Sequence, residues 1–322
     1  MDEFDLIRRY FAPLATSPGA DGLRDDVAEI ARLEGGMGLI ATKDAIVEGI
    51  HFLPDDPIGT VAQKLVRVNV SDIIAKGGKP DAALLALVWP KGRDMNQLGD
   101  FSRALGADLQ RWGAHLVGGD TTSTDGPLTL TLTLLGKVGA RGPVRRSGAK
   151  PGDDLWVTGT IGDGWLGLQA AKGAFGALGA EARNFLVSRY RVPEPPRLPI
   201  ADLVAASASA SIDVSDGLIA DAGHIAEASG VSILIRSADV PLSAAGHGFL
   251  ANAKADLMAL LTGGDDYQTL FTAPASAGDS IRASGQPVAL IGGVEQGEGV
   301  RVVDASGAVL TPPKGGWTHF SG

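Results

Sequence analysis

Seven carboxylates stand at the ends of short apolar runs beside Gly, Ser or Thr. They are Asp25 and Asp26 in RDDVA, Asp44 in ATKDAI, Asp72 in VNVSDIIAKGG, Asp120 in LVGGDTT, and Asp213 and Asp216 in IDVSDG. Taken singly, each has an ordinary explanation, because Asp before a helix caps it and Asp beside Gly makes turns. Taken together, hard oxygen ligands in this number, with few His near them, suit Mg²⁺ held jointly with substrate phosphates and do not suit Zn²⁺. Ser71, Thr121, Thr122 and Ser215 add hydroxyls at the same places, and Gly118 and Gly119 would let the backbone approach a phosphate. Along a strand, Asp213 alternates with Ile212 and Val214, and Asp216 follows at a helix entry, so both are expected to converge on one cation. Asp221, about 140° round the helix from Asp216, is expected to do separate, structural work.

Other motifs are weaker. The phosphate-binding pattern G-x-x-x-x-G-K-[ST] is absent. GDGWLG at Gly162, Gly164 and Gly167 matches G-x-G-x-x-G, but the chain continues into a helical pattern where a dinucleotide fold needs a second strand ending in an acidic residue. His51 in EGIHF reads equally as a ligand-facing residue or as a structural one. Arg145 and Arg146 read as a solvated basic loop or as a clamp on phosphate oxygens, and Trp317 as a packing anchor for the tail.

These residues need elements to hold them. Phe4, Ile7, Phe11 and Leu14 predict one amphipathic helix, and Leu98, Phe101, Leu105 and Trp112 another that stops at Gly113. GLIAT (38–42) and AALLALVW (82–89) have strand length, the first expected to be central, and LTLTLTLL (128–135) alternates with a polar Thr face. The Gly-, Pro- and Arg-rich segment 139–154 has no periodicity and reads as a connection between residues 1–138 and 155–322. RVPEPPRLP (191–199) reads as an ordered loop. Beyond the connection, helices from 163, 181, 217 and 250 alternate with strands LWVTG, ASIDV, VSILI, YQTLFTA and PVALIGG, which makes both halves α/β.

Composition narrows the function classes. A hydrophobic share of 44% over 322 residues builds real cores. A net charge of −9 disfavours nucleic acid as the main partner but allows phosphorylated small molecules when cations mediate. With no Cys, disulfides, thiolate metal sites and Cys nucleophiles are excluded. The acidic start MDEFD and the lack of any long apolar run predict a cytoplasmic protein with no membrane partner.

In one order along nearly the whole chain, EFDLIRRYF, RDDVA, TKDAIVEGIHF, KLVRVNVSDIIAKGGKP, LVGGDTT, RSGAKPGD, VTGTIGD, IDVSDGLIADAGHI, TGGDDY and KGGWTHF resemble the thiamine-monophosphate kinases of the PurM-like ATP-dependent superfamily. The resemblance implies a two-domain α/β (α+β) PurM-like fold and a homodimer whose N-terminal sheets pair into a barrel-like core. It implies ATP and several Mg²⁺ ions in the cleft, and phosphorylation of thiamine monophosphate to thiamine diphosphate by in-line transfer without a dedicated general base. By position, Asp26, Thr42, Asp44, Asp72, Asp120, Asp213 and Asp216 match metal ligands. Gly119, Asp120, Arg146 and Ser215 match ATP contacts, Arg146 also as a stabiliser of developing charge, and His51, Asp265 and Trp317 match positions facing thiamine phosphate. Arg24, Lys43 and Asp265 depart from the residues common in the family, and the two cations could replace an ion or point outward. The alternatives are a related enzyme such as aminoimidazole ribonucleotide synthetase, or a non-catalytic nucleotide or thiamine-phosphate sensor.

Overall fold

The structure, a computed structural model, describes residues 3–175, 178–251 and 256–311. The first helix is present but irregular: α1 (Glu3–Leu6) passes into a π turn over Ile7–Phe11 and a 3-10 turn over Ala12–Leu14. Pro13 cannot donate to a continuing helix, and Phe11 and Leu14 are exposed.

Strands β1 (Ala28–Arg32) and β2 (Gly38–Val47) lead into helix α2 (Ile58–Ala75). Then come β3 (Lys79–Pro90), helix α3 (Asn96–Arg111), β4 (His115–Thr124) and β5 (Thr129–Val138). The sheet order is β1-β2-β5-β3-β4. The centre is therefore β5, and GLIAT lies one strand in from the edge, because β5 pairs antiparallel with both β2 and β3. The alternation in β5 is realised: Leu130, Leu132 and Leu134 are fully buried, while Thr129, Thr131 and Thr133 face the other side. Only β3 and β4 run parallel, and α3 supplies the crossover.

Residues 139–152 link this sheet to a second one. The second half runs β6 (Asp153–Thr158), α4 (Asp163–Ala171), α5 (Ala180–Arg191), α6 (Pro199–Ser207), β7 (Ala210–Val214), α7 (Leu218–Ser229) and β8 (Ser232–Arg236). It continues through α8 (Ala244–Leu250), α9 (Leu257–Thr262), β9 (Gln268–Pro274), α10 (Gly278–Ala283), β10 (Val288–Glu295), β11 (Gly299–Val303) and β12 (Val309–Leu310). The order is β12-β11-β8-β10-β6-β9-β7. Among the described residues no helix is long and apolar enough to cross a membrane.

Helix α2 joins the halves. It packs on β2 and β5 on one side and on β7 and β9 on the other, and it is buried nearly all round, as a helix between two layers must be. The main core accordingly mixes both halves: Ile40, Leu65 and Leu132 share one cluster with Ile200, Val204, Phe271 and Ile281.

Candidate active site

Several polar residues of α2 are buried or half-buried and reach partners on other elements. Ser71 Oγ donates to Asp213 Oδ2 at 2.7 Å, and Asp72 Oδ2 accepts from Thr42 Oγ1 at 2.5 Å. Asn69 Oδ1 accepts the Asp44 backbone N–H at 3.2 Å, which fixes β2 against the helix. At its C-terminal end, Lys76 Nζ lies 2.6 Å from Asp26 Oδ2 and 3.2 Å from Asp25 Oδ1 and donates to the Ser211 carbonyl at 2.5 Å. Ser71 and Lys64 stand seven residues apart, so they share one face of the helix about 10 Å apart along its axis.

One carboxylate oxygen each from Asp26, Asp72 and Asp213 comes within 4.8 Å of the others. Three distant stretches of sequence thus converge between the two sheets. A second group with the same spacing joins Asp216, Asp221 and His224. Asp213 and Asp216 thus fall in two different close groups, Asp216 in the one at the entry to helix α7. Asp221 Oδ2 accepts the N–H groups of Asp216 and Gly217, both at 3.1 Å, so it caps the first turn of α7, the structural work expected of it.

Burial and like charge set the electrostatics. Asp44 is pushed up to about 6 by desolvation and then by Asp26, and Asp213 to about 7 by desolvation and then by Asp26. Asp72 is driven well above the usual carboxylate range by desolvation, helped by Asp44, Asp213 and Asp26. Asp26 goes the other way. Its burial is outweighed by Arg146, whose Nε donates to Asp26 Oδ1 at 2.8 Å, and by Lys76. The donor set fits divalent cations: hard oxygens only, within reach of one another, and too few protein cations to neutralise them.

A pH dependence follows. Folded carboxylates with raised pKa values keep protons that the unfolded chain, at about 3.9 for Asp, has released. The contribution of these two carboxylates to the stability of the metal-free protein is therefore greatest at about pH 4 and below, and is lost as pH rises through about 6 and 7, where Asp44 and Asp213 ionise. The lowered pKa of His224 slopes the other way between about 4 and 6.5. Asp26 contributes the opposite slope, but only at acid pH. We expect a thermal melt in chelator to show a higher Tm at pH 5 than at pH 7.5, and Mg²⁺ to raise Tm more at pH 7.5. Equal stabilisation by Mg²⁺ at both values would sink this account of the centre.

The other end of α2 carries a second polar site. Lys64 is buried, its ammonium donates to Asp265 Oδ2 and to the His51 carbonyl, both at 2.9 Å, and it lies 4.4 Å from the centroid of the Tyr190 ring. Tyr267 donates to the other Asp265 oxygen at 3.0 Å. Asp265 and Tyr267 have φ of 72° and 52°, a left-handed conformation costly for such residues. It is held by backbone bonds from Asp265 N to Ser215 O and from Tyr267 N to Val214 O. His51 thus sits beside Asp265, while its Nδ1 accepts the Val47 N–H, a role in its own turn.

Two sets of expected residues are placed elsewhere. Strand pairing puts Asp120, Ala86, Thr131 and Ala45 in one row on the open face of the first sheet. Thr42 and Asp44 pair with Leu134 and Leu132 on the face that α2 covers. Asp120 is therefore three strands, about 14 Å, and one sheet face away from the carboxylate centre of its own chain. Gly119 has a local reason to be glycine, since a Cβ there would lie 1.9 Å from the Leu85 carbonyl oxygen. Arg24 and Lys43 both point outward: Arg24 pairs with Asp21, and Lys43 is exposed on the open face. Trp317 lies outside the described residues.

GDGWLG does not bind a dinucleotide through its helix. The N–H groups of Gly162 and Gly164 that open α4 already donate to the buried Asp266 carboxylate, at 2.6 and 3.0 Å, so the anion seat is filled from within. Gly164 must be glycine because a Cβ would fall 2.2 Å from the Asp265 carbonyl oxygen.

Sequence reasoning missed Lys64, Lys76, Asn69, Tyr267 and His224. For the two lysines a signal existed, since they bracket the apolar run LVRVNVSDIIA, and a lysine flanking a fully buried segment must find partners inside. His224 is neutral at ordinary pH, held down to about 4 by burial and by Arg146.

Comparison with known proteins agrees with this geometry. The family models for AIR synthase related protein match with the N-terminal domain over residues 24–138 and the C-terminal domain over residues 150–305. A thiamine-monophosphate kinase of Caulobacter vibrioides is 40% identical over 98% of this chain and 90% of its own length. One from Salmonella typhimurium is 36% identical over 99% and 98%. The solved structure of AaThiL complexed with AMPPCP and TMP superposes with a TM-score of 0.87 at 32% identity, covering 99% of this chain and 97% of that one. With its fold, its interdomain carboxylates and its sequence in agreement over nearly the full length, this chain belongs to the thiamine-monophosphate kinase family.

Proposed function

We propose that the cleft along α2 binds ATP with several Mg²⁺ ions at its carboxylate end and thiamine monophosphate at its Lys64 end. A phosphate oxygen of thiamine monophosphate attacks the γ-phosphorus of ATP, the bond from that phosphorus to the bridging oxygen breaks, and ADP and thiamine diphosphate leave. The observation that carries this reading is the convergence of Asp26, Asp72 and Asp213 between the two halves, with cations, among the described residues, paired to Asp26 alone of the three.

The acceptor phosphate has a second pKa of about 6 and is already largely ionised, so no general base is required. What remains is to hold two polyanions in line and offset their repulsion. Asp26, Asp44 with Thr42, Asp72 and Asp213 would hold divalent cations, with Asp216 in the neighbouring group. When bound, these ions supply charge stabilisation to the phosphates. Arg146, only partly exposed on Asp26, is placed to turn from that carboxylate to a phosphate oxygen, and Ser215 offers its hydroxyl nearby. Lys64 and Tyr267 fix Asp265, whose carboxylate faces the cationic ring system of thiamine beside His51. Trp317 is assigned to the same ligand.

Asp120 and Gly119 enter this scheme through a second copy of the chain. Strand β4 is an unpaired edge with Leu116 and Val117 exposed, and Leu84 is exposed beside it, an arrangement that calls for cover. A homodimer built on it supports delivery of the partner's Asp120 to the nucleotide. The cytoplasm, where ATP is made available, is the assigned compartment.

Incubation with ATP, Mg²⁺ and thiamine monophosphate is expected to yield thiamine diphosphate by mass, with ADP appearing only when the acceptor is present. ADP release independent of the acceptor, or no thiamine diphosphate from folded, metal-replete protein, would overturn the reading.

A further inference from the structure

Lys76 is fully buried, and three oxygens surround its ammonium: it donates to the Ser211 carbonyl at 2.5 Å and lies within ion-pair distance of Asp26 Oδ2 at 2.6 Å and Asp25 Oδ1 at 3.2 Å. The side chains of Asp25 and Asp26 are themselves 1% and 2% exposed. A tripod of oxygens from two carboxylates and a carbonyl, closed to solvent, is the coordination that a small hard cation seeks. Here a side chain fills it.

We propose that Lys76 is a built-in cation of the catalytic centre, occupying a position between Asp25 and Asp26 that a divalent ion would otherwise take. The consequence for Asp26 is specific. Its Oδ2 is permanently committed to Lys76, so an entering ion can use only Oδ1, which it must win from Arg146. Arg146 retains partial exposure and a route out, whereas Lys76 has none. Ion entry at Asp26 and release of Arg146 toward the nucleotide are then one event. A fixed single charge also lets the centre work with one divalent ion fewer than its acidic residues suggest, and it ties the RDD loop to β7 across the domain boundary even when no ion is bound. This inference rests on the reading that divalent cations bind at the carboxylate centre.

The test counts metal instead of turnover. Wild type, Lys76→Met and Lys76→Gln, each with a non-hydrolysable ATP analogue, are titrated with Mn²⁺ and the bound ion is counted by electron paramagnetic resonance. Met reproduces the stem of Lys but leaves the Nζ position vacant, so both variants are expected to bind one more Mn²⁺ per chain than wild type. Equal, non-zero counts in wild type and a folded variant overturn the proposal alone. No Mn²⁺ bound to any of the three overturns the metal-centre reading and the proposal with it. Should neither variant fold, wild type decides. Among the described residues Lys64 and Lys76 are the buried lysines, and their slowly exchanging ammonium signals in ¹H–¹⁵N spectra are expected to persist at saturating Mg²⁺. Loss of the Lys76 signal would show displacement and refute the built-in cation.

Discussion

Asp72→Asn is expected to lower kcat by about a thousandfold or more while raising the Tm of the metal-free protein. The two effects have one cause. Asp72 lies among Asp26, Asp44 and Asp213, and its desolvation, reinforced by repulsion from those three carboxylates, drives its pKa well up. An amide keeps the acceptor for the Thr42 hydroxyl but removes a charge. Relieving like-charge strain at a site shaped for function commonly adds ~1–2 kcal/mol of stability. Turnover suffers because an amide is a poor ligand for a hard divalent ion, and losing about 4 kcal/mol of charge stabilisation corresponds to about 10³ in rate at 1.36 kcal/mol per decade. Steady-state kinetics and a melt in chelator read the two effects from one preparation. A variant that is slow and also less stable would mean that Asp72 mainly supports the fold.

Arg67→Met should have the largest effect on stability, about 3–5 kcal/mol. Arg67 lies on α2 with 1% exposure and grips Asp108 of α3 through two parallel bonds, Nε to Oδ2 and Nη2 to Oδ1, both at 2.9 Å. Its Nη1 donates to Pro193 O at 3.0 Å and to Glu194 Oε1 at 2.6 Å, in the ordered loop before α6. Removing the guanidinium leaves Asp108, itself 3% exposed, charged and alone. Lys at this position should rescue little, because a point charge cannot make the forked contact. The double variant Arg67→Met, Asp108→Leu should recover much of the loss, since no unpaired charge remains. Chemical denaturation of the three variants checks this, and a double variant no better than the single one would contradict it.

Much of the second half was legible because its signals are local. ASIDV coincides with β7, and Asp213 follows from period-two alternation on a strand that is buried throughout. Helix α2 was not legible. An amphipathic helix announces itself by contrast between its faces, and α2 has little contrast, because both sheets bury it. Val66, Val68 and Val70 even alternate with Arg67 and Asn69 in a strand-like way. The same burial hid the working roles of Lys64 and Lys76, since lysine in a sequence ordinarily means solvent.

The three carboxylates that the structure brings together were among those legible in the sequence, but their grouping was not. Asp213 and Asp216 are neighbours in the chain, yet each has its own set of close partners, Asp26 and Asp72 for the first and Asp221 and His224 for the second. Asp120 belongs with the others in the linear order of motifs, yet strand register alone reveals that it faces the opposite side of the sheet. A sequence lists the residues of a centre more readily than it states which side of a sheet each one faces.

The shared core of the two halves bears on how the protein is made. Residues 1–138 leave the ribosome well before Ile200, Val204, Phe271 and Ile281, which complete the cluster around Leu65 and Leu132. Domains often fold one after another as they emerge, but this first half must wait with one flank of α2 uncovered until more than half of the second half has been synthesised. At about 5–20 residues per second that interval lasts many seconds, and through it the nascent chain exposes an apolar surface and a helix carrying unmatched lysines and arginine. This is a period in which a chaperone has something to hold.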